Sequence, residues 1–395
     1  MTARALEPVP FPFFDYNRYS FSLGLETPEG IFLSGHSASR FAADRGDVVV
    51  TGDVLAQSRL AYEKIAAILA AAGLRLGDVV RTVDYVTVDA LADYPRTAAL
   101  RRELFGGQPP ATSTVVVQRL LRPEALIEIE AVASRQGSAL IAAAVPSDAL
   151  HRAAARRAGD LVYVTAQLPR RPGTNAIVAP GDIVGQMRQV YQNAGQILRA
   201  AGLGWENVVK TLEFLIPAGL ARYKETAGVR REFLAPPFPA ATGIIMPRLA
   251  DPEALVQIDF IASRRPVEAI NPGWSRYDKL TYSPAIKAGN LLFCAGQGAL
   301  HPATHAPEHP DDIVAQTRYV YRNLMEVLRA AGAGPAAMVK TVEFITPAAL
   351  PRYRETAALR REFFRPPYPA ATGIVCQRLV RPEMLIEVDA LAVLP

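Results

Sequence analysis

Three segments of this chain carry the same run of residues at nearly constant spacing. Leu69-Ala-Ala-Ala-Gly73, Leu198-Arg-Ala-Ala-Gly202 and Leu328-Arg-Ala-Ala-Gly332 set their glycines 129 and 130 residues apart. The register holds well beyond them, through Arg81-Thr-Val-Asp-Tyr85, Lys210-Thr-Leu-Glu-Phe214 and Lys340-Thr-Val-Glu-Phe344, and through Arg101-Arg-Glu103, Arg230-Arg-Glu232 and Arg360-Arg-Glu362. It ends on Ile127-Glu-Ile-Glu-Ala131, Val256-Gln-Ile-Asp-Phe260 and Ile386-Glu-Val-Asp-Ala390. Solenoid repeats run to about 20 to 50 residues, so a period this long marks a domain with its own core. Copies are expected at residues 1–136, 137–265 and 266–395, with boundaries near Arg135 to Gly137 and Arg264 to Pro266.

Within a copy the expected order is strands, a long helix, a strand, a second helix and two strands. In the third copy Ile313, Thr317, Val320, Leu324 and Val327 recur at helical spacing behind the N-cap residues Asp311 and Asp312, and Gly332 is placed to end the helix. Val54, Ala61, Ile65 and Ile68 repeat the pattern in the first copy, and Ile183, Met187, Val190 and Ile197 in the second. A β-rich run such as Met338 to Thr346 then leads to a second helix near Leu350 to Phe364, which Pro366 and Pro367 stop. The closing strand puts Ile127 and Ile129 on one face and Glu128 and Glu130 on the other. The pattern predicts an α/β (α+β) unit, a mixed sheet with two helices on one face and carboxylates on the other. A face that mixes carboxylates with apolar residues needs cover, which three linked copies supply cyclically as an intrachain pseudo-trimer.

Half of the residues are apolar, enough for buried cores without staples. Two cysteines, Cys294 and Cys376, exclude a disulfide framework and a paired zinc spacing, which points to a reducing, cytoplasmic setting. Met1 to Tyr19 lacks the apolar run of a secretory signal, and no segment reaches about 18 consecutive apolar residues, so no membrane partner is expected. A charge of +5 from 43 basic and 38 acidic residues is a mild excess, and the arginines recur singly or in pairs, so no nucleic-acid partner is expected. There is no glycine-rich phosphate loop, Cys-x-x-Cys pair or Gly-x-Ser-x-Gly elbow, and no cofactor is indicated. His301, His305 and His309 would suit a metal only on a helix, which Pro302, Pro307 and Pro310 break, so no metal site is expected. Cys294, without a histidine at a convincing spacing, reads as a buried core thiol.

The long helix ending in Ala-Ala-Gly, the Val-Lys-Thr strand and the final Glu-x-Asp/Glu-Ala-x-Ala strand resemble RidA (YjgF) domains in all three copies. The third copy adds Tyr282-Ser-Pro-Ala-Ile-Lys-Ala-Gly289 and Ala295-Gly-Gln297. The first keeps Tyr19-Ser20 and Ser34-Gly35-His36, while the second has no matching tyrosine and reads Thr165-Ala166-Gln167. The resemblance implies a trimer with sites in the clefts between its units and hydrolysis of reactive enamines and imines to ketones and ammonia. It also implies an arginine, in a Pro-Ala-Arg-Ser motif, that grips the substrate carboxylate with a bidentate fork. Here that motif reads Pro110-Ala111-Thr112-Ser113, Pro239-Ala240-Ala241-Thr242 and Pro369-Ala370-Ala371-Thr372, and an asparagine of the second helix is replaced by Ala98, Ala227 and Ala357. The closing-strand glutamate that the resemblance assigns to water or proton handling is Glu128 and Glu387, but Gln257 in the second copy. Two working clefts and one structural cleft are expected.

Imine hydrolysis needs a proton donor, a base that activates water and a pocket that excludes solvent. One carboxyl in a partly apolar cleft serves as acid and base in turn if burial raises its pKa, which makes Glu387 and Glu128 the catalytic candidates. Tyr282, Tyr19, Gly296, Gly35, Thr112, Ala371, Thr372 and His36 are the substrate-binding candidates, His36 standing where the other copies have Gln167 and Gln297. A further series, Asp84, Glu213 and Glu343, lies mid-strand two residues after Thr82, Thr211 and Thr341. Such an acid is either a site or central-channel carboxylate or, as expected here because buried acids survive by pairing, the partner of a neighbouring copy's arginine, such as the series Arg119, Arg248 and Arg378. Glu130, Asp259 and Asp389 are given the same structural role.

The expected activity is that of a cofactor-independent enzyme acting on an imine, enamine or related C–N intermediate of a specialised pathway, by hydrolysis, tautomerisation or cyclisation. The alternatives are a small-ligand-binding or scaffold protein with degenerate clefts and an endoribonuclease-like protein.

Overall fold

The computed structural model describes residues 3–143 and 150–395. Met1 and Thr2, which open the expected first copy, lie outside the described residues. Each copy builds one mixed sheet. In the first the strand order is Arg4–Ala5, Gly24–Thr27, Gly30–Leu33, Ile127–Ala133, Val79–Thr87, Ala111–Val117. The second repeats it with Ser138–Ile141, Ala155–Ala158, Leu161–Gln167, Val256–Ser263, Val208–Leu215 and Ala240–Ile245. The third follows with Val267–Ile270, Ala285–Ala288, Leu291–Cys294, Ile386–Val393, Met338–Ile345 and Ala370–Val375. The last pair in each order is parallel, as a connection through a crossover helix requires. Arg378–Leu379 of the third copy adds itself to the edge of the second sheet, pairing Leu379 with Ile244.

The long helices are Val54–Ala70, Ile183–Ala200 and Ile313–Ala330. Their N-caps are Asp53, Asp182 and Asp312, whose carboxylates accept first-turn N–H groups. Asp311, the other expected cap, lies one residue earlier with a φ of 65°. Gly332 takes a φ of 74° just past the third helix, a conformation that favours glycine. The second helices are Thr97–Phe105, Thr226–Phe233 and Ala357–Phe363. In the third copy the expected single helix from Leu350 divides into a 3-10 turn, Leu350–Thr356, and the α-helix. The Thr356 hydroxyl donates to the Tyr353 carbonyl at 2.7 Å and so competes with the helical ladder where the two segments meet.

Strand alternation then sorts the side chains. Ile127 and Ile129 pack against Ile65, Ile68 and Leu69 of the copy's own helix. On the opposite face Val83 and Tyr85 meet Leu212 and Phe214 of the second copy and Val342 and Phe344 of the third in one shared core. Phe214 and Phe344 touch edge to face at 6.3 Å. Burying a side chain of this size contributes roughly 1.5–3 kcal/mol, so the interface between copies is apolar first. Three cross-copy ion pairs circle it: Arg81 with Asp259 (3.0 Å), Lys210 with Asp389, and Lys340 with Glu130 (3.1 Å).

The mid-strand acids pair, but with partners other than those expected. Because Val83 and Tyr85 face the neighbouring copies, Asp84 between them must face its own helices. There it accepts from Tyr94 (2.8 Å) and Arg101 (3.1 Å) of the same copy. Glu213 does so from Tyr223 and Arg230, and Glu343 from Tyr321, Tyr353 and Arg360. Arg119, Arg248 and Arg378 instead donate to the backbone carbonyls of Leu120, Leu249 and Leu379.

Candidate active site

Two clefts between copies are built alike. In one, Glu128 of the first copy stands beside Gly35, whose N–H donates to the Ala371 carbonyl of the third copy at 3.3 Å. In the other, Glu387 of the third copy stands beside Gly296, whose N–H donates to the Ala241 carbonyl of the second copy at 3.1 Å. A methyl group on Gly35 would collide with Glu128 Oε1 and Thr372 Cγ2, and one on Gly296 with Glu387 Oε1 and Thr242 Cγ2. Glycine is therefore what lets the carboxyl lie between the two copies.

The structure thus gathers Glu128, Gly35, Tyr19, His36, Ala371 and Thr372 at the contact of copies one and three, where a cavity of about 530 Å³ opens. Glu387, Gly296 and Tyr282 gather at the contact of copies two and three, with Ala241, Thr242 and Gly243 completing that site. Thr112 joins neither. It lies in the third cleft, opposite the second copy, where its N–H donates to Thr165 Oγ1 at 3.1 Å.

Burial sets the electrostatics. It pushes the Glu128 carboxyl up to about 7, against the pull of the Lys340 and Lys64 ammonium groups. The Glu387 carboxyl rises to about 8 through burial first and the neighbouring Asp389 second, with Lys210, Arg276 and the Gly243 backbone opposing. Near neutrality both groups are poised between acid and base. His36 is driven down to about 3, again chiefly by burial and then by Lys64, so its imidazole is neutral. Lys64 Nζ is held by the Ser37 and Ser39 carbonyls and the Ser39 hydroxyl. The equivalent Asn193 uses its amide on the matching carbonyls of Leu168 and Arg170.

In the third cleft polar groups of the two copies bond to one another. Gln257 replaces the glutamate and donates to the Thr114 carbonyl at 2.9 Å. Arg152, where the third copy has Tyr282, donates to the Thr112 carbonyl (3.1 Å) and Thr114 Oγ1 (3.3 Å). Thr114 itself stands where the two glutamate clefts have Gly243 and Gly373.

Two placements differ from the sequence pairing. Ser22 and Ser283 make matching bridges to Ala370 and Ala240, so the equivalent of Tyr282 is Phe21, and Tyr19 lies two residues earlier. Tyr19 stacks on Phe21 at 5.2 Å and still lines the cavity. Arg276, absent from the sequence candidates, reaches the Glu387 cleft from the segment before Tyr282, and its guanidinium meets Gln297 Oε1 (3.2 Å) and the Tyr277 ring (4.7 Å). Nothing in its sequence context sets it apart from other surface arginines. Cys294 is fully buried, and burial raises its thiol to about 12. His301, His305 and His309 lie in a loop, the last two with positive φ. No helix among the described residues is long and apolar enough to cross a membrane.

The fold and its clefts define a chain of three RidA-like domains closed into a pseudo-trimer. The Endoribonuclease L-PSP family matches it three times, over residues 16–135, 142–264 and 277–394, and the chain belongs to that family. A RutC family protein of Pyrococcus horikoshii is 34% identical over 111 residues, 28% of this chain and 85% of the relative. Protein DfrA of Myxococcus xanthus is 36% identical over 115 residues, 29% of this chain and 83% of its own. Each of these relatives therefore corresponds to one copy. The crystal structure of a chorismatase superposes with a TM-score of 0.53 over 80% of this chain and 93% of its own at 15% identity, a likeness of fold alone.

Proposed function

We propose that the chain is a cofactor-independent enzyme acting on an imine, enamine or related C–N intermediate, with Glu128 and Glu387 as acid and base in turn. The observation that supports this most directly is that both carboxyls are pushed by burial to about 7 and about 8, each beside a glycine and a neighbouring copy's alanine and threonine. A carboxyl protonated near neutrality gives its proton to the imine nitrogen, which makes the carbon electrophilic. The carboxylate left behind takes a proton from water as the oxygen attacks that carbon. The carbinolamine collapses, ammonia leaves with the transferred protons, and the carbonyl product and the neutral carboxyl are restored. Proton transfer of this kind contributes about 10²–10⁴ in rate, most when the pKa lies near the working pH. Gln257 cannot exchange a proton in this way, which is why the reading is confined to two clefts.

The test is to generate imino acids in situ with an amino-acid oxidase and follow the loss of semicarbazone. Wild type should accelerate that loss, Glu128→Gln and Glu387→Gln should each remove part of the acceleration, and the double variant all of it. Full activity in the double variant sinks the roles of the two glutamates, and no acceleration with any imino acid sinks imino-acid deamination and favours a substrate without a carboxylate or a binding protein.

A further inference from the structure

The cleft between copies one and three has features that a proton-shuttling glutamate does not require. Arg18, Arg122, Arg354, Arg360 and Arg361 all line it, and Glu128 is the one carboxyl among its described lining residues. Arg360 is committed to Glu343, and Arg18 lies 3.9 Å from Asp15. Arg361 gives one N–H to the Arg18 carbonyl at 3.2 Å, and Arg354 makes no ion pair among the described residues. With its carboxyl neutral, such a cavity carries a positive potential that draws and holds an anion. The family's arginine position is Ala371 here, so these guanidinium groups come from other places in the fold.

A second observation points inward. His36 is 3% exposed, lines the cavity, and its Nε2 has no hydrogen-bond partner. The imidazole is neutral, so one of its nitrogens carries a lone pair, and Nε2 is the one without a partner. In the other copies this position is satisfied within the chain: Gln167 donates to the Thr165 carbonyl (2.7 Å), and Gln297 meets Ala295, Tyr277 and Arg276. A buried acceptor left open is costly unless something supplies a donor. The remaining wall is aromatic, formed by Phe14, Tyr19 and Phe21, with Phe14 and Tyr19 edge to face at 6.0 Å. Its volume of about 530 Å³ suits a small molecule with one ring system.

We propose that this cleft binds a planar aromatic anion bearing an N–H or O–H group: Arg354 and Arg361 hold the anionic end, Phe14, Tyr19 and Phe21 the ring, and His36 Nε2 the donor. The inference deepens the catalytic reading and rests on it only for placing the reacting C–N bond at Glu128.

Calorimetric titration of the full chain tests it, using indole-3-acetate, its N-methyl analogue and acetate as probes. Indole-3-acetate should bind, acetate should not, and N-methylation should weaken binding at least tenfold by removing the donor. Arg354→Ala with Arg361→Ala should weaken binding of indole-3-acetate at least tenfold, while Arg354→Lys with Arg361→Lys retains most of it. In His36→Leu the two indoles should bind alike, and should that variant not fold, the comparison on wild type decides. No binding to wild type, equal affinity of both indoles for it, or an unchanged affinity in the double alanine variant overturns the proposal. So does binding of a single-stranded RNA oligonucleotide, lost in the same double variant, with no indole binding. Binding of indole-3-acetate to wild type with no turnover of any imine concerns the catalytic reading alone.

Discussion

The Lys340 ammonium of the third copy lies 3.1 Å from the Glu130 carboxylate of the first. Its remaining donors are taken by the Leu33 carbonyl (2.6 Å) and Thr372 Oγ1 (2.8 Å), so a nearly buried cation has an acceptor for each N–H. Lys210 repeats the arrangement between copies two and three with Asp389, Thr242 and the Cys294 carbonyl. A buried ion pair is a weak source of net stability, because desolvation offsets attraction, but losing one partner leaves the other charge stranded. Each copy thus gives one cation to the closing-strand acid of the next, so every unit is tied to its neighbour by the same buried contact.

Lys340→Met should accordingly destabilise the chain by about 3–5 kcal/mol, at the low end because Arg81 also lies near Glu130. Adding Glu130→Gln should recover a good part of the loss. Urea unfolding of the single and double variants measures both, and a double variant no better than Lys340→Met would refute the stranded-charge argument.

The pH dependence of stability has a definite sign at Glu387. Its folded pKa of about 8 lies above the ordinary carboxyl value of 4.5, so between those pH values the folded state keeps a proton that the unfolded chain has lost. Stability contributed by the neutral carboxyl is present below pH 4.5 and is lost as pH rises towards 8. Glu387→Gln stays neutral throughout. Its melting temperature should match wild type near pH 5 and exceed it near pH 9, by an effect on the order of 2–5 kcal/mol. An equal difference at both pH values would mean that the carboxyl is not held neutral.

The same shifts separate the two clefts kinetically. In Glu387→Gln only Glu128 remains, and kcat/KM should fall as pH rises through about 7, where its proton is lost. In Glu128→Gln the fall should come at about 8. Identical profiles from the two variants would count against independent general acids.

How much of this was legible in the residues varies with the range of the interaction responsible. The long helices were readable because Asp53, Asp182 and Asp312 cap runs whose apolar spacing is local, and Glu128 and Glu387 because their strand alternates. The partner of Asp84 was open to the same logic, since Val83 and Tyr85 already claim the opposite face. Phe21 was hidden because a two-residue offset is invisible until Ser22 bridges to Ala370 across the copies. The arginines around Glu128 were beyond reach for a different reason. Arg18, Arg122 and Arg354 share no motif and converge only when the first and third copies close on each other.

The third cleft offers the strictest check on the division of labour among the copies. Gln257 donates its amide N–H to the Thr114 carbonyl, and Arg152 donates to the Thr112 carbonyl beside it. Gln257→Glu restores the residue of the other two clefts but replaces that donor with an oxygen facing a carbonyl. The new carboxyl can relieve the clash only by keeping a proton or by drawing Arg152 off Thr112. Stability should fall by about 1–3 kcal/mol at neutral pH, and less in acid where the carboxyl is protonated. Activity should not rise while Arg152 stays on the Thr112 carbonyl and Thr114 Oγ1. Imine hydrolysis measured in the background of Glu128→Gln with Glu387→Gln decides the point: any turnover gained with Gln257→Glu would show the third cleft to be one substitution from function, not closed by its own arginine.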